Sequence, residues 1–381
     1  MSVLEYFQNK QTDIVRKIRE VVETESPSSD EAGSRAVVDL LAAQARHISA
    51  IDSVQRIPAA GLGEHLLIRA FGESSAEQKG ILLLGHTDTV HPRGSLAERP
   101  WREEDGKIFA PGIFDMKGNC VLMLEVLGYL SENNRKSLFP VTLLLTCDEE
   151  IGSHSGRELV EAEARNAKAC FVFEPSAPGG KAKTGRKGTG NFVLQTHGIA
   201  SHAGLDPQKG ANAVGELAQQ IIALHKLNAF EVGTTVTVTT IKGGTATNVV
   251  PAEAECAVDV RFSSLAEADR IDKEIRSLKP VDERVTLQVL GGINRPPLER
   301  TESVTALFEK AKQIAHKLGV ELEETQVGGA SDGNFVGALG VPVLDGLGIA
   351  GDGAHATHEH ILTDDIPFRG ALLAGLLTTE L

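Results

Sequence analysis

The spacing of apolar positions changes period several times along the chain, and each change marks an element. Leu4, Phe7, Ile14, Ile18 and Val21 recur at helical spacing, so the first 24 residues read as an amphipathic helix. The stretch from Ser26 to Asp30 breaks that period and caps a second helix, which runs to about His47. Two strand-like runs follow, near 53–58 and 65–70. Ile81 to Gly85 is a short unbroken apolar run, as a strand buried on both faces requires. A helix fits 116–130, a second buried strand 141–146, a helix 155–165 and a strand 169–173. Strands alternating with helices predict an α/β domain around a largely parallel sheet.

The pattern changes after Gly179 and Gly180. Residues 181–190 are basic and glycine-rich, with no apolar period. Then come a strand at 191–197, a helix at 212–227, strands at 234–242 and 254–262, a helix at 265–278 and a strand at 285–290. That β-α-β-β-α-β order is the split ferredoxin-like arrangement. Beyond Pro296 and Pro297 a helix (303–318), strands near 323–327 and 341–345 and a C-terminal helix return to the α/β style. Residues 1–187 and 293–381 are therefore expected to form one α/β domain, with an α+β domain of residues 188–292 inserted into it.

Composition narrows the functional classes. Lys and Arg number 38 against 52 Asp and Glu, a formal charge of −14. So acidic a chain lacks the electrostatic footprint of a general nucleic-acid binder and is not expected on an anionic membrane surface. Hydrophobic residues at 41% and charged residues at 24% suit a folded protein, not a disordered one. Cys120, Cys147, Cys170 and Cys256 form no C-x-x-C pair and sit among apolar residues, as buried thiols in a reducing compartment would. No signal peptide is visible, and no segment reaches the roughly 18 apolar residues of a membrane span, so a cytoplasmic protein is expected.

The candidate chemistry lies where strands end. His86 and Asp88 follow the run 81–85, at the strand edge where open α/β sheets bind ligands. Alone, H-x-D also describes a turn histidine beside a turn-forming aspartate. Asp115, in GIFDMKG (112–118), precedes a helix and would suit an N-cap, which is compatible with bridging metals because a carboxylate has two oxygens. Glu149 and Glu150 follow the strand 141–146; in a loop they can converge on one site, and otherwise they are a solvated acidic pair. Glu174 ends the apolar run 169–173, and His355 lies in a histidine-rich loop near Glu359. His86, Asp115, Glu149, Glu150, Glu174 and His355 offer mixed N/O ligation, which suits zinc, or cobalt or manganese. No thiolate belongs to the set, which argues against a structural zinc site. Two dications are balanced by Asp115, Glu150, Glu174 and one bridging hydroxide, which leaves Glu149 to carry a proton.

These motifs together resemble the dinuclear zinc exopeptidases and deacylases that include glutamate carboxypeptidase (carboxypeptidase G type), acetylornithine deacetylase and succinyl-diaminopimelate desuccinylase. The resemblance rests on GHTDTV (85–90), GIFDMKG (112–118), DEEIG (148–152), FEPS (173–176), GIASHAG (198–204), NVVPAEA (248–254) and GAH (353–355), and looks closest to the glutamate carboxypeptidase branch. It implies a catalytic domain carrying two divalent metal ions and an inserted lid and dimerisation domain. Asp115 would bridge the ions. His86 and Glu174 would complete one site, Glu150 and His355 the other, with His358 as the alternative to His355. Glu149 would be the general base and acid, and Asp88 would hold His86 by a hydrogen bond.

In the inserted domain the resemblance gives His202 an oxyanion-binding role in the neighbouring subunit of a homodimer. Asn248 would support the oxyanion or the substrate carboxylate. Arg261 would clamp a free carboxylate, for which a guanidinium is suited, or be a surface arginine. Gly329 lies in a loop (328–333) whose backbone N–H groups could face an anion. Lys181, Lys183, Arg186 and Lys187 would recognise a second carboxylate or form a solvated linker. The expected activity is amide hydrolysis on a small molecule or short peptide with a free carboxylate: release of a C-terminal glutamate or similar residue, or else N-acyl-amino-acid deacylation. A homologue that only binds would lack part of the set, and all of it is present.

Overall fold

The computed structural model describes residues 1–72 and 78–380. The chain divides into two compact units. The first comprises Met1–Gly185, Arg300–Val327 and Ser331–Leu381, the second Arg186–Glu299 with Gly328–Ala330. The second unit runs past residue 292, the expected boundary, because its last strand continues through Gly291 and Gly292 to Arg295.

The first unit opens with helices α1 (Val3–Val22) and α2 (Glu31–Arg46). Ser2 caps α1 in a reciprocal capping box with Glu5, and Asp30 caps α2, which satisfies N–H groups that a first helical turn leaves free. Strands β1 (Ile51–Ala59) and β2 (Gly63–Ala70) form an antiparallel pair, followed by β3 (Gly80–His86), helix α3 (Gly118–Glu132), β4 (Val141–Thr146), helix α4 (Gly156–Arg165) and β5 (Ala167–Val172).

The second unit contains β6 (Gly188–His197), α5 (Ala213–His225), β7 (Thr235–Gly243), β8 (Glu253–Phe262), α6 (Leu265–Arg276) and β9 (Thr286–Arg295). Its antiparallel sheet runs β7-β8-β6-β9. Along β8 the residues Ala254, Cys256, Val258, Val260 and Phe262 are buried, and they share a core with Leu217 and Leu224 of α5 and Ile271 and Ile275 of α6. The period of two along the strand gives one face to the helices and leaves Asp259 and Arg261 on the other.

The chain returns to the first unit with α7 (Glu302–Lys317), β10 (Val343–Leu344) and α8 (Asp365–Leu377). The central sheet runs β1-β2-β4-β3-β5-β10. Within it β3 is parallel to both β4 and β5, and β10 is parallel to β5, so four parallel strands form the expected core. Leu83, Leu143 and Phe171 are wholly buried in neighbouring strands, together with α3 residues such as Val121 and Leu124. Burial on both sides is what the unbroken apolar runs require. No helix among the described residues is long and apolar enough to cross a membrane.

Two expectations change. The stretch 181–190 is not a solvated linker: Ala182–Arg186 is a buried strand and β6 begins at Gly188. Lys183 exchanges backbone hydrogen bonds with Asp345, and the buried Arg186 donates to the carbonyls of Gly329 and Ala330. Backbone pairing thus outweighs the missing apolar period. The helix expected from residue 116 starts at Gly118, because residues 113–117 form a separate turn that presents Asp115.

Candidate metal centre

Parallel pairing sets the site. His86 stands opposite Thr146, and Leu84 opposite Val172, so β3, β4 and β5 end together. His86 is the last residue of β3. Glu149 and Glu150 follow β4 in a short turn, Glu149–Ile151, and Glu174 lies two residues beyond β5. Asp115 arrives from the turn before α3, and its peptide bond to Met116 is cis. His355 comes from the loop between the short strands Gly351–Asp352 and His360–Leu362, with a left-handed φ of 65°. A non-glycine residue pays for that conformation, which is held where the surrounding structure determines it.

Asp115 is the centre of the group. Its Oδ1 lies 3.1 Å from His86 Nε2, and its Oδ2 lies 3.3 Å from His355 Nε2. Glu174 Oε1 lies 3.4 Å from the same nitrogen of His86, and Glu150 Oε2 lies 3.0 Å from that of His355. One carboxylate therefore faces two imidazoles, and each imidazole has a second carboxylate. Ligands at 2.0–2.1 Å from a tetrahedral ion lie about 3.3 Å apart, so these spacings fit two such ions. His86, Glu149 and Glu174 form one group able to hold an ion, with ligand atoms within 4.8 Å of one another; His86, Asp115 and Glu150 form another. Glu150 Oε1 is buried with no hydrogen-bond partner among the described residues, which fits a ligand oxygen.

The electrostatics agree. Burial alone would lower the His86 pKa, but hydrogen bonds to Asp115, Asp88 and Glu174 raise it well above the ordinary value. Hydrogen bonds to Asp115 and Glu150 lift His355 to about 10. Burial raises the Glu150 carboxyl, while Asp115, although buried, is held low by the two imidazoles. This is a pocket with surplus negative charge, and it favours a cation.

Asp88, expected to hold His86 by a hydrogen bond, lies beside it and has further partners. His86 Nδ1–H donates to the main-chain carbonyl of Asp88 at 3.0 Å, and the Asp88 carboxylate stands 3.4 Å away. That contact fixes the tautomer and turns Nε2 toward the acidic groups. The carboxylate itself accepts the Ser28 hydroxyl at 2.7 Å and the N–H groups of Glu149 and Glu150 at 3.2 Å each. It thus aims the glutamate turn, a task with no signature in sequence spacing. His358 has no ion pair with the acidic cluster among the described residues, whereas His355 has two.

In the second unit, His202 lies in the two-residue strand Ser201–His202, paired with Val249–Val250. Its Nδ1 accepts N–H bonds from Gly204 and Leu205, both at 3.1 Å. The ring hydrogen of the neutral form therefore sits on Nε2, where it can be donated outward. Asn248 is exposed, and its carbonyl accepts the Ala203 N–H. Arg261 is held by Asp259, with Nε–Oδ1 at 2.9 Å and Nη2–Oδ2 at 2.8 Å, so a substrate carboxylate would compete with an existing partner. The carbonyl of Gly329 accepts from Arg186 at 3.1 Å. In the loop 328–333 the N–H of Ser331 is taken by Asn334 and that of Gly333 by Ser331, so these two groups are not open to an anion.

Comparison with known proteins adds a family to this geometry. Residues 82–379 match Peptidase family M20/M25/M40. The chain is 30% identical over 379 residues to carboxypeptidase G2 of Pseudomonas sp. (strain RS-16), covering 97% of this chain and 89% of that protein. It is 29% identical over 320 residues to succinyl-diaminopimelate desuccinylase of Verminephrobacter eiseniae (strain EF01-2), covering 78% of this chain and 77% of that one. Among solved structures, aminopeptidase PepT from Bacillus cereus superposes with a TM-score of 0.75 at 20% identity, over 96% of this chain and 98% of that one, which speaks for the fold. The chain is a hydrolytic enzyme that belongs to peptidase family M20/M25/M40.

Proposed function

We propose that the protein is a carboxypeptidase-type amidohydrolase that releases a C-terminal glutamate or a similar amino acid and works with two divalent ions, zinc or else cobalt or manganese. One observation carries the reading: the two oxygens of Asp115 face the imidazoles of His86 and His355, each beside a second carboxylate. Asp115 with His86 and Glu174 would hold one ion, and Asp115 with Glu150 and His355 the other. When bound, such ions lower the pKa of water toward neutrality and polarise a carbonyl oxygen.

The chain's own groups do the rest. The Glu149 carboxylate takes a proton from the attacking water and passes it to the leaving nitrogen, so water adds across the amide to give an acid and an amine. Asp88 keeps Glu149 aimed by holding its N–H. For the second unit the motif resemblance supports substrate recognition and pairing with a second copy: His202 as an Nε2–H donor to the carbonyl oxygen, with Asn248, Arg261 and Gly329 toward the substrate. Edge strand β7 pairs only with β8 among the described residues, and Ile241 on it is exposed, which suits a homodimer; light scattering tests that.

Glu149→Gln is expected to keep metal binding while turnover falls by roughly a hundred- to ten-thousand-fold, the usual contribution of general acid–base catalysis. Turnover near the wild-type rate would remove Glu149 from the base role. The second reading, N-acyl-amino-acid deacylation, is favoured by the likeness to the desuccinylase. A panel of N-acyl-glutamates, short peptides, N-acetylornithine and N-succinyl-diaminopimelate separates the two, and the first reading expects the best kcat/KM on a glutamate amide.

A further inference from the structure

Three segments bring ligands to the acidic cluster from distant parts of the sequence: the end of β3, with His86 and the loop that follows it, the turn before α3 with Asp115, and the loop after Gly351–Asp352 with His355. A single buried carboxylate ties all three together. Glu359 is 2% exposed and follows His355 by four residues. Its Oε1 accepts the N–H groups of Phe114 at 2.9 Å and Asp115 at 3.0 Å. Its Oε2 accepts the N–H of Gly112 at 2.8 Å and His91 Nε2–H at 2.5 Å. Four donors fill the roughly four lone-pair positions a carboxylate offers. His91 lies five residues after His86, and its Nδ1 faces Arg99 Nη2 at 3.4 Å, which leaves the ring hydrogen on Nε2.

Glu359 belongs to neither group able to hold an ion. Its hydrogen bonds from the Asp115 loop come from the main-chain N–H groups of Gly112, Phe114 and Asp115, so it fixes how that loop runs. Gly112 makes the loop's turn, with φ at 73°. We propose that Glu359, oriented by His91, is a positioning residue: it locks the 112–115 backbone so that Asp115 presents one oxygen to each half of the centre. The inference rests on the reading of that centre as the seat of two ions.

The test is metal affinity, not activity. Metal-free wild type and variants are titrated with Co²⁺ against a chromophoric chelator, and the cobalt absorption spectrum is recorded. Glu359→Gln places an amide NH₂ against N–H donors, so its cobalt affinity should fall by roughly ten- to a hundred-fold, with an altered spectrum. His91→Leu should move both readouts the same way. His91→Gln, whose amide can still donate to Glu359, should recover most of the loss. The His91 pair decides the matter if Glu359→Gln does not fold. Wild-type uptake with all variants within about twofold and an unchanged spectrum overturns the clamp alone. Failure of the wild type to take up Co²⁺ overturns the metal centre and the clamp with it.

Discussion

At the scale of single residues, the choice between His355 and His358 is the sharpest. His355 Nε2 is within 3.3 Å of two carboxylates of the cluster. His355→Ala should therefore reduce the divalent ions held per chain from two to one, while His358→Ala leaves two; elemental analysis after dialysis checks both. The proposed ligand residue types are legible because β3, β4 and β5 are unmistakably buried runs, and a charged residue at the end of such a run has few reasons to be there. The contributions of Asp88 and Glu359 were not legible in the same way. Each gathers backbone N–H groups of another loop, and any carboxylate anywhere in the chain could do that. Arg261 is a different case: the strand period puts Asp259, two residues away, on the same face, so that partner was within reach of the sequence and was not weighed.

At the scale of elements, the loop that carries His355 and Glu359 hangs on a narrow hairpin. Gly351 pairs with Ile361, and a Cβ on Gly351 would lie 2.1 Å from the carbonyl oxygen of His360. The His360 backbone cannot give way cheaply, so Gly351→Ala should destabilise by about 1–3 kcal/mol and weaken metal binding as well. An unchanged melting temperature and affinity would show that the hairpin does not set the loop. Most helices and strands followed from period alone, the buried strands by their unbroken runs and the amphipathic helices by their stripes. The strand Ala182–Arg186 did not, because its pairing comes from backbone exchange with distant residues, and its Lys, Thr and Arg side chains mimic a linker. The turn at 113–117 was missed for a related reason: its shape is set by Glu359, more than two hundred residues away in sequence.

At the scale of the whole molecule, two dications would change the formal charge from −14 to −10. The protein as a whole would still repel an anionic substrate, so the proposed recognition of a carboxylate would depend on local cations, of which Arg261 would first have to exchange its Asp259 partner. Ions that bind the folded state and not the unfolded chain stabilise it in proportion to their affinity. Chelation should therefore lower the melting temperature, and restoring Zn²⁺ should recover it, with the effect absent in Asp115→Asn.

The ion content of the purified protein tests the bridging role of Asp115 most directly. Elemental analysis of wild type and Asp115→Asn, each equilibrated with Zn²⁺ and then dialysed, should find two ions per chain in the first and none in the second. A wild type that retains no ion, or an Asp115→Asn variant that still holds two, would contradict it.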